Sequence, residues 1–165
     1  MIDQLRATPV LLFCALLLIG ALPMAHAESG VAKIPFVIET ASPFGTVEET
    51  VAAIKQNIEA EPNWVVNGVK PMDKKIKELS GIEIPPVTLI DACNPYHAGE
   101  ILQKDEDRYA SVMMPCTIAV YEKSDGIVYV GTMNARLIGE MFGGAVAKIM
   151  GGTVAEDQNR FLQLN

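Results

Sequence analysis

A chain of 165 residues with half of them hydrophobic and a formal net charge of −7 is long enough to bury one real core without covalent staples. Its acidic balance, with no Lys/Arg cluster to offset it, excludes nucleic acid and anionic lipid as natural partners. Beyond the N-terminal segment no apolar run is long enough to cross a bilayer, so no stable membrane insertion of the remaining chain is expected.

Residues 1–27 read as a secretory signal peptide. Arg6 supplies a positive start, Val10 to Ala21 an apolar run too short to span a membrane comfortably, and Ala25-His26-Ala27 a small-x-small cleavage site. Cleavage after Ala27 leaves residues 28–165 as a single domain, periplasmic or secreted. Cys14 and His26 leave with the peptide, so Cys93, Cys116 and His97 are the cysteines and the histidine of the exported chain.

Ile34 to Thr40 is β-rich and predicts a first strand, with Pro35 at its entry. Thr46 with Glu49 makes a capping box. Val47, Val51, Ile54 and Ile58 then recur on one helical face, and Pro62 closes the helix. Trp64 to Val69 predicts a second strand. Pro71 and Asp73 open a short helix through Leu79, whose Lys74, Lys75 and Lys77 read as a solvated face. Pro85-Pro86 forces an extended entry to Val87–Cys93, a strand apolar enough to be central.

Asn94-Pro95 predicts a helix start, with Asn as the cap and Pro in the first turn. Ala98, Ile101 and Leu102 give that helix its inner face. Arg108 to Met114 is a connector into a strand over Cys116–Glu122. Asp125-Gly126 turns the chain into a fifth, antiparallel strand over Ile127–Met133. From Arg136 the tail is helical, and Gly143-Gly144 and Gly151-Gly152 mark bends or close-packing points. The order β-α-β-α-β-α-β-β-α predicts an α+β two-layer sandwich: a mixed sheet of about five strands with helices mainly on one face.

Ala92-Cys93-Asn94-Pro95, followed by Met114-Pro115-Cys116 and then Val120-Tyr121-Glu122, resembles the bacterial domain-of-unknown-function family numbered 302. The resemblance runs from about Thr40 to Asn134 and includes the capped first helix and the hairpin. It implies a compact α+β domain, often dimeric, with no agreed activity. The chain departs from the family at Asn134-Ala135, where Asp-Pro is common, and in its longer, glycine-interrupted tail.

The candidate site is the corner made by Cys93, Asn94, Tyr96 and His97, with Cys116. A cysteine ahead of a helix N-terminus feels the helix dipole, which favours a thiolate; the alternative is a small residue packed between sheet and helix. A Cys-x-x-x-His pair can bind a soft metal or couple a base to a thiolate, with Asp91, Tyr96, Glu100, Met113 or Met114 as the third group. Met113 and Met114 beside Cys116 add soft donors suited to copper, and an apolar groove at His97 suits non-covalent haem. No C-x-x-C or C-x-x-C-H motif is present, which excludes a thioredoxin-type dithiol and covalent c-type haem.

An oxidising compartment favours a disulfide between Cys93 and Cys116. A parallel crossover would instead set them at opposite ends of the sheet, roughly 15–20 Å apart, beyond disulfide reach. That separation vanishes if Arg108 to Met114 returns along the sheet.

Three functions remain open. The first is an exported homodimeric binding module holding haem, a soft metal such as copper, or a small ligand near Cys93 and His97. The second is a redox or thiol enzyme using Cys93 with His97. The third is a non-catalytic partner in a periplasmic redox or sulfur-handling complex.

Overall fold

Thr46 starts the first helix as its sequence predicts. In the computed structural model, which describes residues 35–165, its Oγ1 accepts from Glu49 N at 3.2 Å and donates to Glu49 Oε2 at 2.9 Å. Helix α1 (Val47–Ala60) buries Val47, Val51, Ile54 and Ile58, the stripe that its spacing marks out. The expected signal peptide over residues 1–27, its cleavage point and Ile34 lie outside the described residues.

The strands are β1 (Val37–Ala41), β2 (Val65–Pro71), β3 (Val87–Cys93), β4 (Cys116–Glu122) and β5 (Val128–Met133). They form one sheet in the order β1-β5-β4-β3-β2. Every neighbouring pair is antiparallel, so the mixed sheet expected from the sequence is corrected to a fully antiparallel one.

The cause lies between β3 and β4. Helix α3 (Pro95–Leu102) has eight residues and carries the chain only about 12 Å. A 3₁₀ segment (Asp105–Met113) then packs back against α3. The chain re-enters the sheet at the end it left, and the connector is an ordered return rather than a crossover.

Residues opposite one another in the ladder share a face. Ile90 pairs with Ile118, and Val120 with Val130; all four are buried. Helix α1 packs on β2, β3 and β4, giving the predicted two-layer α+β arrangement. Helix α2 (Met72–Ser80) follows β2 directly, buries no residue fully and ends at Gly81 with φ 73°.

The tail is more broken than one helix. Helix α4 (Ala135–Phe142) stops at Gly143, and α5 (Gly144–Lys148) runs into a π-helical turn (Ile149–Val154) and then α6 (Ala155–Phe161). Of the two glycine pairs, Gly151 is a close-packing point: a Cβ on Gly139 of α4 would lie 2.6 Å from its Cα and its N. Gly143 and Gly144, at φ 72° and 55°, are the bend. Asn57 on α1 donates to the carbonyls of Phe161 and Gln163, each at 3.2 Å, which ties the end of the chain to the first helix. No described helix is long and apolar enough to cross a membrane.

Candidate functional site

Asn94 sets the corner. Its Oδ1 accepts from the backbone N–H groups of Tyr96 at 3.1 Å and His97 at 3.4 Å, so it caps α3 as predicted and directs its first turn. Being buried and committed to the backbone, it serves as a frame and not as a free ligand. Tyr96 turns outward, 70 % exposed, and takes no part in the pocket.

His97 turns inward and lines a cavity of about 20 Å³. Cys93 and Cys116 line the same cavity, as do the thioether residues Met114 and Met150. The antiparallel register explains the meeting of the cysteines: Ala92 pairs with Cys116, so Cys93 stands one step past the partner of Cys116. The opposite-ends placement derived from a parallel crossover is thereby overturned. Both cysteines are free and half-buried.

Burial raises the Cys93 thiol above its ordinary range. It pushes Cys116 up to about 11, with the neighbouring Cys93 adding to the effect. Desolvation disfavours the charged form, so both groups are thiols at neutral pH. The dipole of α3 does not produce the low-pKa thiolate considered for Cys93.

Trp64 closes the cavity from the loop before β2. The turn that delivers it uses Asn63 at φ 64°, a left-handed conformation that asparagine tolerates. Its indole Nε1–H donates to Asp157 Oδ2 at 2.7 Å. Asp157 comes from α6, is buried, and lies 3.6 Å from His97 Nε2. Arg160, one turn along the same helix, donates to its other oxygen and also reaches both oxygens of Glu61 at 3.0 Å.

Sequence reasoning missed Trp64, Met150, Asp157 and Arg160. The chain's single tryptophan was the one local signal, because an indole N–H needs a partner when buried. Asp157 lies 93 residues further on, with no pattern linking the two.

The other proposed third groups are elsewhere. Asp91 pairs with Lys70 and accepts from Thr117. Glu100 faces Lys148 at 3.4 Å, and Met113 packs on the core. Among the described residues no three histidine, cysteine, aspartate or glutamate side chains are grouped to hold a metal ion.

A cavity of about 20 Å³ admits one water-sized atom. Ligand clefts run to about 300 Å³ and more, so haem, expected as one occupant, does not fit this site without rebuilding its walls.

None of the curated proteins matches this sequence. A solved structure described as "uncharacterized conserved protein DUF302 from Bacillus stearothermophilus" is similar in fold. Its TM-score is 0.66 at 20 % identity, over 77 % of this chain and 95 % of that one. The family described as "Domain of unknown function DUF302" matches residues 38–164. That span takes in the whole described sheet except the first residue of β1, every described helix and the Cys93–His97 corner, and the chain belongs to this DUF302 family.

Proposed function

We propose that the protein is an exported soft-metal-binding module taking a monovalent, copper-like ion between Cys93 and Cys116, with Met114 beside them. The observation that carries the reading is the shared cavity: two thiols and two thioethers wall a space of about 20 Å³. Thiolate and thioether donors select soft ions. A site without three histidine, cysteine or carboxylate donors does not suit tetrahedral zinc, which takes four. On binding, the ion displaces one proton from each thiol and the two protons pass to solvent, leaving a bis-thiolate complex.

A reversible Cys93–Cys116 disulfide is the second reading, and the same register favours it. Ladder geometry puts the two Cα atoms about 6 Å apart, inside disulfide range. Successive strand residues point to opposite faces, however. Cys116 shares the face of Ala92, and Cys93 starts from the other. A bridging metal tolerates a sulfur separation of about 4.6 Å, whereas a disulfide demands about 2 Å. The metal reading asks less of the backbone.

The test is anaerobic titration of reduced, metal-free protein with Cu(I) against a chromogenic chelator. One equivalent retained, lost in Cys93→Ser and in Cys116→Ser, supports the reading; no uptake by the reduced protein removes it. Export and a homodimer belong to the same proposal. The dimer is supported by the exposed edge strand β1, and sedimentation showing only monomer removes that part.

A further inference from the structure

The inner face of the sheet is not covered out to its margin. Val69 on the edge strand β2 stands opposite Ile90 on β3 and so shares its face. Ile90 is fully buried, yet Val69 is 39 % exposed. Helix α1 packs over the sheet from β2 to β4 but leaves this margin open, and α2, the next helix in the chain, buries no residue fully. What remains is a groove of about 360 Å³, with Val51, Val69 and Pro71 among its apolar walls. Small-molecule sites start at about 300 Å³, so this groove has the room that the 20 Å³ between the cysteines lacks.

Its polar lining is cationic, in a chain whose formal net charge is −7. Lys55 of α1 and Lys74 of α2 both line it. The lysine run of α2, which reads from the sequence as a solvated face, is not uniform. Lys75 pairs with Glu78 and Lys77 with Glu83, while Lys74 pairs with no described carboxylate. Of the lysines and arginines among the described residues, only Lys55, Lys74, Lys104 and Arg136 make no salt bridge with a described carboxylate. Two of those four meet at one groove. Glu48 also lines it and is bridged to neither lysine.

We propose that this groove binds a small amphipathic monocarboxylate, whose aliphatic chain covers Val69 and whose carboxylate is held by Lys55 and Lys74. An apolar wall left in water is covered favourably by an apolar body. The two ammonium groups are point charges, without the arginine fork that reads phosphate bidentately. Two lysines and Glu48 leave a single positive charge, which a monoanion neutralises. The Thr88 hydroxyl, also in the lining, supplies a neutral donor. The groove shares no residue with the Cys93–Cys116 cavity, so the proposal stands independently of the metal reading.

The probe is octanoate, titrated into reduced, metal-free, isotope-labelled protein and read by amide NMR. Saturable shifts centred on Ala52, Lys55, Val69 and Lys74 are expected at or below about 1 mM. Octanol, which keeps the chain and lacks the charge, should bind several-fold more weakly. Lys55→Gln and Lys74→Gln should each weaken octanoate by about two- to fivefold, as for an exposed ion pair, and Lys104→Gln should leave it unchanged. Ala52→Trp, at an exposed position of α1, should fill the groove and block binding in a protein that still folds. Absence of saturable shifts in the groove overturns the proposal. So does equal affinity for octanol, or octanoate binding unchanged when both lysines are replaced. Groove shifts that follow protein concentration without octanoate would mean that a second copy covers the face, and overturn it as well.

Discussion

Cys116 faces Ala92 across the β3–β4 ladder, one residue short of Cys93. Both thiols are raised by burial, Cys116 to about 11 with Cys93 adding to the shift. A raised thiol pKa means less thiolate at neutral pH, and alkylation follows the thiolate. In the reduced native protein both cysteines should react slowly with iodoacetamide at neutral pH. The rate at Cys116 should keep climbing until about pH 11. Peptide mass spectrometry of timed reactions checks this, and rapid labelling of Cys93 near neutrality would falsify it.

Gly139 and Gly151 let α4 and the π turn touch. A Cβ at Gly139 would lie 2.6 Å from Gly151 and 3.0 Å from the Ala147 carbonyl, all backbone atoms that cannot swing aside. Gly139→Ala should cost about 1–3 kcal/mol, the usual range for overpacking. Gly152→Ala, with nothing within 4 Å, should be close to neutral. Urea denaturation of the pair decides it; equal midpoints would remove the close-packing account.

Asn94 acts as a cap and not as a ligand. Asn94→Ala should cost about 1 kcal/mol, by freeing the N–H groups of Tyr96 and His97. Asn94→Asp should recover most of that, because aspartate caps equally well. Thermal melts of the two variants measure the difference, and full stability in the alanine variant would contradict the role.

The sheet surface carries its own pH dependence. Glu39 accepts from Lys123 and Tyr121, and these bonds, Lys123 first, hold its carboxyl below the usual range. Asp125 is lowered chiefly by the backbone N–H of Ile127. A carboxylate with a depressed folded-state pKa contributes stability that is present above its ordinary value and lost as pH falls through the folded one. On the alkaline side, burial and then Glu39 push Tyr121 up to about 12. Its contribution is therefore complete below about pH 10 and lost as pH rises toward 12. Glu39→Gln should flatten the acid limb of the stability curve and bring the Tyr121 titration down, read by tyrosinate absorbance. An unchanged Tyr121 titration would show that the contact is idle.

Local chemistry was readable from the sequence, and long-range placement was not. The α1 stripe of Val47, Val51, Ile54 and Ile58, the Asn94-Pro95 helix start and the Asp125-Gly126 turn each rest on neighbours within a few residues, and each stands as read. The direction of β4 rests on whether the chain turns back after Leu102, and the returning 3₁₀ segment Asp105–Met113 has no strong apolar period to announce it. The same error of direction separated Cys93 from Cys116. Half of the site could be named because Cys93, Asn94 and His97 adjoin in sequence. The other half, Trp64 with Asp157, is a contact between residues 93 apart in the sequence, made by burial and not by any motif.

The π turn at Ile149–Val154 has a consequence for how the family's tails can vary. Each residue of an α-helix advances the chain by about 100° around its axis, whereas a π turn closes on the fifth residue instead of the fourth and so fits one more residue into the same rotation. The surplus in this stretch is absorbed within the turn, and the residues on either side keep the phase of a continuous helix. Deleting one residue here would relax the turn to ordinary α-helix and leave Asp157 on the face it now presents to Trp64 and His97. Tails that differ by a single residue at this point would thus still deliver the same acid to the corner, whereas the same change after Val154 would rotate it away.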